Sequence, residues 1–176
     1  NNFEMNGRIS NIASDGFIDR ASSNMFGYFF NANYVKESTL VKFMAFGGKE
    51  KTYQAWYGIE DPEKLRNDRT FNPAGMYFDE FGNMQFYDNE TDNYWQNHFQ
   101  LHWTEKWSDK WISNAALHYT IGKGYFEQYK EDEDLADYNL PAFNGNSISD
   151  LVRKRWLDND FFGATFSLNY RNEKTD

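Results

Sequence analysis

The chain has 176 residues, a formal net charge of −9, 20% aromatic residues and no cysteine. That length suggests about one domain. The acidic balance, broken only by the short cluster Arg153-Lys154-Arg155, argues against nucleic acid as a partner, and no run approaches the ~18 apolar residues of a transmembrane helix.

Phe3 to Ala13 alternates apolar and polar residues and predicts a first strand. Ser14-Asp15-Gly16 is a turn signal opening a connection to about Asn24. Met25 to Val35 predicts a second strand, and Lys36-Glu37-Ser38 a short connection to a third over Leu40 to Trp56. The third is less clean, since Met44 and Phe46 share a face with Lys42. The polar stretch Tyr57 to Asp92 holds Pro62 and Pro73, and within it Met76-Tyr77-Phe78 and Met84-Gln85-Phe86-Tyr87 flank a turn and predict a small hairpin.

Asn93 to Thr104 and Trp111 to Gln128 carry the strongest pattern. On the first run Asn97, Phe99, Leu101 and Trp103 share one face, and Gln96, His98, Gln100 and His102 the other. On the second, Ala115, Leu117, Tyr119 and Ile121 oppose Asn114, Ala116, His118 and Thr120. Successive side chains of a strand point to opposite sides, so each run has one greasy and one wet face. A long acidic connection, Tyr129 to Asp150, precedes a last strand from about Leu151 to Arg171.

These strands exceed the ~5–6 residues usual in soluble sheets. Short connections after the second and fourth long strands oppose long ones after the third and fifth, the plan of an outer-membrane barrel. Tyr34, Trp103, Trp107, Trp111 and Tyr170 gather where greasy faces meet the short turns, as amphipathic rings do at a membrane–water interface. The mean hydropathy of −0.88 fits a membrane barrel with a polar lumen and also a water-soluble β protein. A soluble β-sandwich or small-barrel binding module, with carbohydrate among its possible ligands, is the alternative. Strand length favours the barrel.

Several stretches resemble the barrel of TonB-dependent outer-membrane receptors, particularly those of Bacteroides-like bacteria. They are Met5-Asn6-Gly7-Arg8-Ile9-Ser10 with Ser14 to Ala21, Gly47 to Trp56, Tyr87 to Tyr94, Ala116 to Thr120 with Gly122 to Lys130, and Arg155 to Phe161. The resemblance covers nearly the whole chain and implies the bacterial outer membrane. Such receptors have a barrel of about 22 strands closed by an N-terminal plug. They import scarce ligands such as ferric siderophores or cobalamin, and in some branches glycans, with energy relayed by TonB. The chain contains neither plug nor TonB-contacting segment, and Asn1-Asn2-Phe3 reads as mid-strand. The expectation is therefore a piece of a longer protein: an all-β segment of about six antiparallel strands of a larger transmembrane barrel. Its partners would be the rest of the barrel, the plug (and TonB through it), outer-membrane lipid and a small-molecule ligand.

No catalytic arrangement stands out, and no enzyme activity or cofactor is expected. His98 and His102 lie four strand residues apart, ~13 Å, too far to share a metal with bonds of ~2 Å. The acidic loops around Asp88, Glu90 and Asp92 and over Glu131 to Asp137 lack the EF-hand spacing. Gly122-Lys123-Gly124 sits within a strand pattern and marks a bulge or a close backbone approach rather than a phosphate cradle. The best ligand-binding candidates are aromatics read as lying in the loops, Trp56, Tyr57, Tyr77, Phe86, Tyr87, Tyr94 and Trp95, whose rings offer large rigid contact area.

Overall fold

A computed structural model describes residues 2–172. One antiparallel sheet of six strands dominates it, formed by β1 (Phe3–Ser14), β2 (Ser23–Lys36), β3 (Thr39–Tyr53), β6 (Thr91–Lys106), β7 (Trp111–Asp134) and β8 (Ile148–Tyr170), in that order across the sheet. A separate hairpin pairs β4 (Met76–Phe78) with β5 (Met84–Phe86), in register Met76 to Phe86. Helix α1 (Pro62–Asn67) and a 3₁₀ turn (Leu135–Tyr138) complete the elements.

The two-residue period holds in register across all six strands. One transverse row reads Gly7, Phe30, Ala45, Phe99, Tyr119 and Phe162, and a neighbouring row on the same face reads Met5, Ala32, Phe43, Leu101, Leu117 and Ala164. The opposite face carries Asn6, Asn31, Met44, Gln100, His118 and Gly163 in one row. A slip of one residue would exchange the faces, so the pattern fixes the register. On the polar side Phe46 lies beside Phe29 at 6.5 Å and stacks on His98 at 4.6 Å. The irregularity in the third strand's pattern is thus an aromatic stack within the polar face.

Few apolar side chains are buried. Among the described residues the buried hydrophobics are Ala45, Tyr53, Ala74 and Leu135, while Phe162, Phe166 and Leu117 are 78%, 69% and 53% exposed. The sheet is a single layer: its strands make their main contacts with hydrogen-bonded neighbours, and β1 and β8 remain its two edges. The face-to-face sheets of a sandwich are not formed among the described residues, and the sheet does not close on itself.

Several boundaries differ from the sequence reading. β3 stops at Tyr53 rather than Trp56; the Gln54 N–H still bonds the Glu90 carbonyl at 3.0 Å, but from there the chain turns into the loop. β7 and β8 together run far into the stretch read as an acidic connection. There, Lys130 pairs with Glu133 at 3.1 Å, and a register shift with Asp132 at φ 50° accommodates the extra residues. Helix α1 was not anticipated, although Asp61 accepts from the Glu63 N–H at 2.8 Å and Pro62 opens the first turn, both ordinary helix-start signals.

Gly122 and Gly124 leave room for the ring of Tyr94 across the strand pair. A Cβ on Gly124 would fall 2.6 Å from the Tyr94 ring and inside contact of the Asn93 carbonyl. Gly124→Val should therefore destabilise the sheet by roughly 1–3 kcal/mol, read as a lower denaturant midpoint. Gly58→Ala has open space around it and meets only its left-handed backbone, so it should cost less, about 1–2 kcal/mol.

Candidate functional site

The sheet has two different ends. The β2–β3 and β6–β7 turns lie at one end, and the connections 15–22, 54–90 and 135–147 at the other. The turn end carries paired rings: Phe3 on Tyr34 at 4.8 Å, Trp103 edge-on to Trp107 at 6.1 Å, and Trp111 on Tyr170 at 4.8 Å. The loop end carries a folded cap.

The cap is tied together by Asn72, which is 1% exposed. Its Nδ2 donates to the carbonyls of Asp19 at 3.0 Å and Gln54 at 2.7 Å, and its Oδ1 accepts from the Ala74 N–H at 3.0 Å. One side chain thus joins the β1–β2 loop, the end of β3 and the loop before β4. The Tyr53 hydroxyl lies 2.7 Å from the Tyr87 carbonyl and 3.1 Å from that of Ala74. Arg20 donates to the Asn72 carbonyl and sets its guanidinium 3.6 Å over the Phe86 ring. This is a partly buried cation on an aromatic face.

A second cluster lies against the extended β7–β8 ribbon. The Tyr129 ring sits 4.5 Å from Tyr77 and stacks 5.7 Å from Tyr87, and its hydroxyl donates to Asp150 at 2.6 Å. Asn89 donates to the buried Glu127 at 2.6 Å, and Tyr87 donates to the same carboxylate oxygen. Burial and the Glu127 carboxylate push the Tyr87 hydroxyl up to about 12, so it stays a hydrogen-bond donor at any ordinary pH. Burial likewise pushes the buried Glu90 carboxyl above its ordinary value, against hydrogen bonds from the Tyr129 and Gly75 backbone N–H groups.

The seven candidate aromatics fall into three places. Tyr77, Phe86 and Tyr87 pack within the cap. Trp56 and Tyr57 stay exposed, 6.1 Å from each other in an edge-on pair, with Trp56 5.5 Å from Phe126. Beside them a groove of about 300 Å³ is lined by Tyr57, Ile59, Lys64, Phe71 and Pro73. Tyr94 and Trp95 belong to β6 rather than to a loop. Tyr94 lies on the polar face, where its hydroxyl accepts from Asn159 at 2.8 Å, and Trp95 is in register with Lys49 and Lys123 on the apolar face. The residues that organise the cap, Arg20, Asn72, Glu90 and Glu127, carried no spacing signal. Arg20, Glu90, Glu127 and Tyr129 all stand inside stretches the sequence reading had quoted, Glu90 also in an acidic loop, whereas Asn72 stands in none.

The histidines do not converge. His98 contacts Thr120 at 2.9 Å and Gln96 at 3.1 Å, and His102 contacts Gln100 at 3.3 Å. Among the described residues no three His, Cys, Asp or Glu side chains are placed to hold a metal ion. What the cap offers is exposed ring faces beside a shallow groove, suited to flat or apolar ligand surface.

Removing Asn72 strands two carbonyls and one N–H, so Asn72→Ala should loosen residues 54–90 by roughly 1–3 kcal/mol, seen as faster amide exchange there while β6 and β7 stay protected. For Glu90, the folded state holds a proton more tightly than the unfolded chain, so stability falls as pH rises from the ordinary carboxylate range through the raised value. Glu90→Gln should remove that fall. Its denaturant midpoint is expected to exceed wild type at about pH 8 and to match it below about pH 4.

Set against protein-family models, curated proteins and solved structures, the chain matches none, and the reading of the site rests on its own geometry.

Proposed function

We propose that the chain is a segment of a bacterial outer-membrane β-barrel of the TonB-dependent receptor type, and that it takes part in capture and import of a scarce ligand such as a ferric siderophore or cobalamin. The observation that carries the reading is the sheet itself: strands of 12 to 24 residues, one face apolar and uncovered, the other polar, with short turns at one end and long loops at the other. A soluble protein does not leave so broad an apolar face to water. From Trp111 to Ile121 the greasy face of β7 runs ~33 Å at ~3.3 Å per residue. A ~40° tilt projects this onto ~25 Å, the height of the lipid-facing band in outer-membrane barrels.

On this reading the edges of β1 and β8 pair with further strands of the same barrel, and the polar face lines the lumen against a plug. The exposed Trp56 and Tyr57 would meet ligand first. TonB acts through the plug from the other side. The sandwich alternative needs a facing sheet, and besides the six-stranded sheet the described residues form only the small β4–β5 hairpin.

The test is the native, full-length protein that contains this chain. It should fractionate with the outer membrane, need detergent to stay in solution, and change gel mobility on boiling. A strand-rich species of about 20.9 kDa, soluble without detergent, would overturn the proposal. Within the barrel, Leu101→Arg should cost roughly 2–4 kcal/mol, the penalty of a cation at the bilayer midplane, whereas Gln100→Arg on the opposite face should cost far less.

A further inference from the structure

The apolar face ends toward the loops in a row of a different kind. Phe26, Lys49, Trp95, Lys123 and Asp158 stand in register across β2, β3, β6, β7 and β8. The next same-face row is Asn24, Lys51, Asn93, Tyr125 and Trp156. Two adjacent grooves of about 250 and 340 Å³ run along these rows and share Lys49 and Asn93. Trp95, Tyr125 and Trp156 line the larger of them.

The charges there are only partly matched. Lys123 pairs with Asp158 at 2.9 Å, and Lys154, one row further out, pairs with Glu127 at 3.2 Å. Lys51 donates to the neutral Asn89 at 2.8 Å, and Lys49 has no carboxylate partner within salt-bridge distance among the described residues. Two ammonium groups thus remain uncompensated on a chain that is acidic overall. They lie toward the loops from the phenylalanine rows, beyond an intervening row of Ile9, Tyr28, Gly47, Asn97, Ile121 and Asp160, where tryptophan and tyrosine take over. At the turn end the same face holds Tyr34, Val41, Trp103, Ala115 and Phe166, and the next row out, Lys36, Thr39, Glu105, Ser113 and Leu168, carries one lysine and one carboxylate.

We infer that this border is a docking site for lipids with phosphate-bearing anionic headgroups, the acyl chains lying on the phenylalanine rows and the phosphate oxygens meeting Lys49 and Lys51. The inference rests on the membrane reading above and adds to it a preference for headgroup charge at one end of the barrel. Charge complementarity selects this occupant. A second copy of the chain would set lysine against lysine, and a neutral lipid would leave both ammoniums unmatched. Interfacial cations draw anionic lipid with about a fivefold gain in local partitioning for each Lys near the surface.

The test uses the full-length protein in nanodiscs of phosphatidylcholine, with or without phosphatidylglycerol as a minor component. Lipids that stay bound are counted by native mass spectrometry. Wild type should retain phosphatidylglycerol over phosphatidylcholine. Lys49→Gln/Lys51→Gln should lower that preference roughly 25-fold, and Lys49→Arg/Lys51→Arg should keep it. Equal retention of the two lipids by wild type, or a preference untouched by the glutamine pair, overturns the inference while leaving the membrane reading in place. A protein that never enters the nanodisc and stays soluble without detergent overturns both. Gel mobility before boiling reports whether each variant folds, and the wild-type comparison decides the matter if the double variant does not.

Discussion

A sheet satisfies its backbone through its neighbours, and its side chains must find their own environment. Six strands here bond in antiparallel register, so each interior strand has both edges paired along the body of the sheet, on β7 as far as Phe126. Rings and aliphatic chains then line most of one face, up to the lysine-bearing rows at its loop end, with no second layer against them among the described residues. Burying a phenylalanine or leucine side chain contributes about 1.5–3 kcal/mol, and several rows of them lie uncovered. The other features follow from that constraint. The polar groups collect on the opposite face, the rings gather at the ends of the apolar band, and the edges of β1 and β8 stay open.

The cap solves a different problem. Loops of this length carry many backbone groups that water alone does not organise. Asn72, Tyr53 and Arg20 act as a polar substitute for a core: Asn72 and Tyr53 each reach two carbonyls, and Arg20 donates to the carbonyl of Asn72. The rings above them, Phe86, Tyr87, Tyr77 and Tyr129, supply apolar contact that the small hairpin would otherwise lack. Order in the loops therefore comes from side-chain bonds to main chain, which also hold Trp56 and Tyr57 at the surface next to a groove.

Legibility in the sequence followed the range of the interaction. The alternation Phe99, Leu101, Trp103 against His98, Gln100, His102 is local, so the faces and order of the long strands could be read directly. The hairpin of Met76 to Phe86 was visible for the same reason. The extension of β7 past Gln128 was not, because Glu131 to Asp134 look like solvated loop; their pairing with β8 is a long-range fact. Asn72 and Arg20 were invisible because their partners lie 18 to 53 residues away in sequence. Tyr94 and Trp95 fall inside the strand read from Asn93 to Thr104 yet were counted among the loop rings; register places them on opposite faces of β6.

Beyond Phe126, β7 and β8 leave the support of β6 and rise as a two-stranded ribbon to Asp134 and Ile148. An isolated pair of strands is marginal in water. This one leans on the β4–β5 hairpin through Tyr77 against Tyr129 and the Phe78 N–H bonded to Glu131 at 3.0 Å. Ribbon and hairpin therefore share one stability. Opening either exposes the other, so the two should melt and reform as a single cooperative unit above a sheet that stays intact. The loop end would then have two populations, capped and uncapped, whose balance is set by a few tyrosine contacts.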